Sequence, residues 1–371
     1  MNSLVHYLQQ IEDYRHPKGK RHQLLPSLII MIMAMTCGYT GLRAMARFGQ
    51  IYGDLLKEYL PLPRGKAPSC PTLQRFSKGI DFNQVIHCFN EWMSQYLTGE
   101  RIAIDGKSIK STVTSSQETE QNFVSLVSFF SQHRQLILKV GVLENHQTSE
   151  IPVVQELLNQ FEITKAVFTL DALHCQKKTV QAIIKSGNNY VITVKQNQPK
   201  LHAAIIKQMR TTQPLSTWSW TQKGHGHEVK CRLQVYSVPP AMSSSWSGLQ
   251  RVIGVNRRGE RGGKSFNTTT CYIASEISSA YVFAQTIRGH RKIENNLHWV
   301  KDVIFKEDHC GIRSPPQAAT LGVFRNFAFN LLVLEGFHSI TAGIQTVTGQ
   351  IGRLWKMITT SKEKSSTHAT S

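Results

Sequence analysis

The stretch from Arg101 to Gln198 restricts the fold more than any other part of the chain. RIAIDGKSIK, FVSLVSFFS and QLILKVGVLE are β-branched or alternating runs, the last two separated by a hairpin-sized QHR. A helix follows from about Pro152 to Phe161, with proline near its start. KAVFTLDALH then reads as a strand, CQKKTVQAIIKSG as a helix closed by Gly187, and NYVITVKQNQ as a further strand. Three antiparallel-type strands followed by strand–helix–strand predict an α/β fold, a mixed sheet flanked by helices.

Two of these strands end in an acid, Asp105 and Asp171. Aspartate is a poor strand residue, and an unpaired buried carboxylate is costly, so the pair calls for a common partner. A helix N-cap would account for Asp171 ahead of ALHCQKK, but Asp105 precedes Gly106-Lys107 with no helix in view. A third acid stands far downstream, in IRGHRKIENNLHWVKDVIFKED (Ile287 to Asp308). There Ile293, Leu297, Val300 and Ile304 form an apolar helical stripe, and His290, Glu294, His298 and Lys301 a polar one beside it. By itself this would also suit a salt-bridged surface helix. A lone carboxylate among basic residues on a core-packed helix can equally hold a metal ion next to a phosphate.

The rest of the chain falls around this frame. Residues 1–98 alternate apolar and polar at helical spacing, with breaks at HPKGKRH, LPLPRGKAPSCP and Lys78-Gly79. The helices around PLPRGKAPSCP resemble a helix-turn-helix only weakly. Residues 99–211 hold the first part of the core. Residues 212–278 read as a β-rich insertion with basic, Gly-rich turns, residues 279–340 as the closing helices, and 341–371 as a tail, disordered from Lys362. His225 and His227 in KGHGH lack further ligands at metal-binding spacing.

The chain carries 43 Lys and Arg against 24 Asp and Glu, a net charge of +19 spread over its length. That favours a polyanion, most simply nucleic acid, over a membrane surface, which a single basic amphipathic helix would suit better. The run Leu24–Met35 is too short to span a bilayer. The 7 cysteines are scattered without a Cys-x-x-Cys pair, and no signal peptide opens the chain, which together point to the cytoplasm.

With both aspartates and Glu294 in place, the chain resembles the DDE transposases of bacterial insertion sequences, in particular the H-repeat-associated group. The resemblance lies in IEDYRHPKGKRHQLLPSL, YLPLPRGKAPSCPTLQRF, AIDGKSIKST, TLDALHCQKKTVQAIIKSGNNYVITVKQNQP, KGHGH and IRGHRKIENNLHWVKDVIFKEDHCGIR, in order over most of residues 8–335. It implies a ribonuclease H-like core with Asp105, Asp171 and Glu294 as catalytic metal ligands for two divalent cations, Mg²⁺ or Mn²⁺. It also implies double-stranded DNA as partner, both the terminal inverted repeats and the target, bound by a homodimer or higher assembly in a bacterial cytoplasm. In the wider group a tyrosine and an arginine precede the glutamate by seven and four residues, where this chain has Ile287 and His290; the later lysine is kept as Lys301. Lys107, Lys195, Arg288, His290 and Lys301 are the expected phosphate contacts, from their nearness in sequence to the acids. A stand-alone nuclease on the same core, or a silent DNA-binding remnant of a mobile element, would share most of these features.

Overall fold

The computed structural model describes residues 1–114, 122–144, 148–224, 227–261 and 263–361. Its N-terminal part is helical: α1 (Leu4–Leu8), α2 (Leu24–Thr36), α3 (Leu42–Ile51), the single turn α4 (Gly53–Leu56), α5 (Cys70–Gly79) and α6 (Phe82–Ser94). Helix α2 is apolar on nearly every side and buried from Leu28 through Thr36. Each fully buried Leu, Ile or Met there contributes roughly 1.5–3 kcal/mol. Pro26 lies in its first turn, where its missing N–H has no intrahelical partner to lose.

The sheet begins with β1 (Arg101–Thr114), β2 (Asn122–Ser131) and β3 (Ile137–Glu144), joined antiparallel. Helix α7 (Glu150–Asn159), strand β4 (Val167–Leu170), helix α8 (Lys177–Lys185) and strand β5 (Asn189–Val194) follow, with β4 parallel to both β1 and β5. These five strands, in the order β3-β2-β1-β4-β5, form the ribonuclease H-like mixed sheet that the sequence pattern and the resemblance implied.

After α9 (Pro199–Thr211) come β6 (Ser216–Gly224), β7 (His227–Tyr236), the turn α10 (Pro240–Ser243), β8 (Arg251–Arg261) and β9 (Lys264–Ala274). This β-rich segment is an antiparallel meander that continues the main sheet, because β9 pairs with β5 through Ile192 and Ile273. Among the described residues one sheet of nine strands results, ordered β3-β2-β1-β4-β5-β9-β8-β7-β6.

Helix α11 (Ala280–Lys292) lies on the meander and runs on through two π-helical segments, Ile293–His298 and Val300–Ile304. Helix α12 (Pro315–Leu334) is buried almost throughout and packs between α2, α5 and α6 on one side and β1, β2 and β3 on the other, so helical region and sheet share one apolar core. At the outer edge of β3, Asn90 of α6 bonds to both backbone groups of Val140, at 2.9 and 2.8 Å. Asn330 of α12 does the same to Ile137, at 3.0 and 2.8 Å. No helix among the described residues is long and apolar enough to cross a membrane.

The sequence reading needs one revision at the C-terminus. Residues assigned to a tail form α13 (Ile340–Val347) and α14 (Ile351–Thr359), and Ile351, Leu354, Met357 and Ile358 are buried. Their three-, three- and one-residue spacing makes one apolar face, which polar neighbours disguise in a linear reading. His225 and the segment from Lys362 fall outside the described residues.

Candidate active site

The parallel register of β1 and β4 brings two of the three acids together. Ala103 pairs with Thr169, so two residues further on Asp105 and Asp171 stand side by side where β4 ends. Ligands of open α/β sheets collect at the carboxyl ends of parallel strands. Asp171 also caps a short 3-10 turn, Ala172–His174, its Oδ1 accepting from the Leu173 N–H at 2.9 Å. The capping role and the site role coexist, since one carboxylate oxygen serves the turn.

Glu294 arrives from the helix. His298, one turn later, sets its Nδ1 3.5 Å from Asp105 Oδ2, which anchors this face of the π-helical segment over β1. A π turn closes i→i+5 and is wider than an α turn, a geometry often found at functional sites. The even α-helical stripe expected from sequence therefore breaks after Lys292, and Glu294 is exposed while Lys301 is buried.

Burial and the nearby charges of Glu150, Asp171 and Glu294 push the Asp105 carboxyl up to about 7. Negative charges gathered around a buried carboxyl mark a place where a cation would be stabilised. Glu150 is a fourth acid that sequence reasoning missed. It sits in the first turn of α7, where glutamate is ordinary, and Gly106 admits it: a Cβ at 106 would lie 2.6 Å from Glu150 Oε2. Its Oε1 is 2.9 Å from Nε2 of His174, a buried side chain.

The oxygen-only donor set of Asp105, Asp171, Glu294 and Glu150 fits a hard cation such as Mg²⁺. Among the described residues no three such side chains are drawn close enough to enclose one ion. The acids share a face and an electrostatic field rather than a finished cage.

The basic residues divide. Lys195 follows β5 and is exposed, and Arg288 is exposed with its guanidinium 5.9 Å from the Trp220 ring. Three expected phosphate contacts are placed otherwise. His290 is neutral, its pKa lowered to about 4 chiefly by burial, and its Nδ1 lies 2.9 Å from Thr169 Oγ1, itself bonded to Gln132. Gly289 makes this fit possible, since a Cβ there would meet Gln132 Oε1 at 2.1 Å. Lys107 reaches Asp302 at 2.6 Å, Asp308 at 3.2 Å and Glu307 at 3.4 Å. Lys301 lies 3.4 Å from the fully buried Glu307, as Arg325 of α12 does at 3.6 Å. These lysines face carboxylates instead of solvent and tie the Glu294 helix to β1 and α12. The sequence signal was Arg325 itself, a lone cation inside the apolar run GVFRNFAF, which calls for a buried partner.

A family profile described as "Transposase DDE domain" matches residues 97–331, and one described as "DDE_Tnp_1-associated" matches residues 5–93. The chain is 29% identical over 348 residues to the "H repeat-associated putative transposase YhhI" of Escherichia coli (strain K12), covering 90% of each chain. It is 30% identical over 346 residues to the "Putative transposase YncI" of Escherichia coli O157:H7, covering 90% of this chain and 87% of that one. A cryo-EM structure of a piggyBac transposase synaptic complex with hairpin DNA superimposes with a TM-score of 0.48 at 9% identity, over 96% of this chain and 75% of that one.

Proposed function

We propose that this chain, which belongs to the transposase DDE domain family, binds the ends of an insertion sequence and cleaves and joins DNA strands at Asp105, Asp171 and Glu294. The single observation that carries this reading is the β1–β4 register, which puts Asp105 beside Asp171 in a field that includes Glu294. These three residues would hold the divalent cations, Mg²⁺ or Mn²⁺, with Glu150 adding negative charge beside them. When bound, such ions supply activation of the attacking oxygen and stabilisation of the leaving one.

The chain's own residues set the geometry. Thr169 and Gln132 fix the His290 ring, and the Asp171 cap fixes the turn after β4. The buried Lys107–Glu307–Lys301–Arg325 cluster holds the Glu294 segment against β1. Exposed Lys195 and Arg288 would bind phosphates. In the first displacement, water attacks phosphorus and the bond to the 3′-oxygen breaks, freeing a 3′-hydroxyl. In the second, that hydroxyl attacks a target phosphodiester and displaces its 3′-oxygen. The reaction at phosphorus is the same, with a different nucleophile.

The helical region 1–98 is assigned to the element's terminal repeats, and two or more copies to the DNA-bound assembly, working in the cytoplasm at the nucleoid. The test is incubation of purified protein with a labelled element end in Mg²⁺ or Mn²⁺. Metal-dependent nicks at the end, and joined products with target DNA, are expected; intact DNA under all conditions would overturn the reading.

A further inference from the structure

Alternation along the meander sorts its side chains onto two faces. Trp218, Trp220 and Gln222 of β6 stand opposite Leu233, Cys231 and Val229 of β7, which stand opposite Val255, Arg257 and Gly259 of β8. The inner half of this face, with Leu233, Val235, Ile253 and Val255, is buried beneath Phe283, Ala284 and Ile287 of α11. The outer half, with Trp220, Gln222, Val229 and Arg257, extends toward the last turn of α11, where Arg288 lies over the Trp220 ring. Between it and the last turn of α11 lies a cleft of about 430 Å³, lined by Gln222, Arg257, Arg261, Lys264, Phe266 and Arg291 among others.

The cleft is basic by construction. Arg257, Arg291 and Arg288 lie near enough to Cys231 to oppose the upward push of burial on its thiol. Arg257 Nε is buried without a hydrogen-bond partner, while its Nη1 bonds Thr270 Oγ1 at 3.2 Å. Arg288 lies 5.9 Å from the Trp220 ring and Arg261 6.0 Å from the Phe266 ring, platforms that hold a guanidinium in place at little entropic cost. No carboxylate among the described residues forms an ion pair with these arginines or with Lys264. Arg291, which lines the cleft, precedes Glu294 by three residues, so the cleft lies about one helical turn from that acid.

We infer that this cleft is the track along which duplex DNA leaves the cleavage site, its phosphates held by Arg257, Arg261, Lys264 and Arg291 that line it, with Arg288 beside it over Trp220. The inference rests on the transposase reading for the identity of the polyanion. The surplus of guanidiniums without carboxylate partners among the described residues, one helical turn from Glu294, is what a phosphate backbone requires.

The experiment measures binding of the full-length protein to a labelled duplex by fluorescence anisotropy, over about 50–300 mM salt. Arg257→Gln/Arg291→Gln should lower the slope of log K against log salt by about 1.8, two phosphate contacts at about 0.9 each, with at least about tenfold weaker binding at low salt. Lys165→Gln/Lys185→Gln makes the same charge change at exposed positions around the opposite end of β4 and should lower the slope by less than half as much. Arg257→Lys/Arg291→Lys should keep most of the slope. Equal losses in the two Gln doubles would overturn the inference, as would loss of binding to anionic vesicles with duplex binding unchanged. Should the Gln double unfold, phenylglyoxal labelling of the parent decides. Protection of Arg257 and Arg291 by duplex is expected, and equal labelling with and without DNA would refute the track. Nicking by the parent is read in parallel: its absence removes the transposase reading and leaves the slopes to decide the cleft.

Discussion

Nε2 of His174 and Oε1 of Glu150 lie 2.9 Å apart, joining the turn that follows Asp171 to the first turn of α7. Because Glu150 also lies against Gly106, inside β1 rather than at its end as the sequence suggested for Asp105, one carboxylate braces both acid-bearing strands beside their acids. Glu150→Gln keeps a hydrogen-bonding partner for His174 and should leave folding nearly unchanged. Glu150→Ala strands a buried imidazole and should cost about 1–3 kcal/mol, read by urea unfolding. If the Ala variant is as stable as the Gln variant, the bracing role is wrong.

Asp171→Asn separates charge from shape. Asparagine caps a helical turn as well as aspartate, so the Leu173 N–H stays satisfied and the melting temperature should barely move. Binding of DNA should persist, whereas nicking of a labelled element end should fall roughly a thousandfold or more, because ligands of one site act as a unit. Nicking at the parent rate would sink the three-carboxylate mechanism.

The buried ion cluster predicts an acid limb of instability. Burial raises the Glu307 pKa, but Lys301, Arg325 and Lys107 outweigh it and hold the carboxyl below its ordinary 4.5. The unfolded chain therefore binds the extra proton first as pH falls. The contribution of Glu307 is complete above pH 4.5 and is lost as pH drops through the folded value. Glu307→Gln leaves buried cations without their counter-charge and should cost about 3–5 kcal/mol at neutral pH. It should also flatten the acid limb in urea titrations, and an unchanged limb would show that Glu307 does not set it.

Asn330→Leu removes both bonds to Ile137 and leaves two buried backbone groups unpaired, about 1–3 kcal/mol each. Denaturant unfolding with a lowered midpoint and an unchanged slope is the expected result.

Much of this was legible in the chain. The strand runs after Arg101 gave the sheet because β-branched alternation has no helical alternative there, and Asp105 and Asp171 stood out as acids where strands disfavour them. Glu150 was hidden because glutamate in a first helical turn is commonplace. The burial of Lys107 and Lys301 and the packing of His290 against Thr169 were hidden because nearness in sequence to an acid does not say whether a side chain points to solvent. The π-helical turn after Lys292 rotates Lys301 inward, and no periodicity rule forecasts it. Carboxylates from Asp302, Glu307 and Asp308 then claim the two lysines.

The amides of Asn90 and Asn330 on β3 give the sheet a direction. At one margin the backbone groups of Val140 and Ile137 are answered from within the chain, while at the other, β6, no further strand pairs among the described residues. A strand recruited by this sheet would find its open margin beyond Trp218 and Trp220, on the side of the meander. A second copy meeting it there would face the same margin on its partner, and the ribbon would end after that single step, with a sealed border at each extremity.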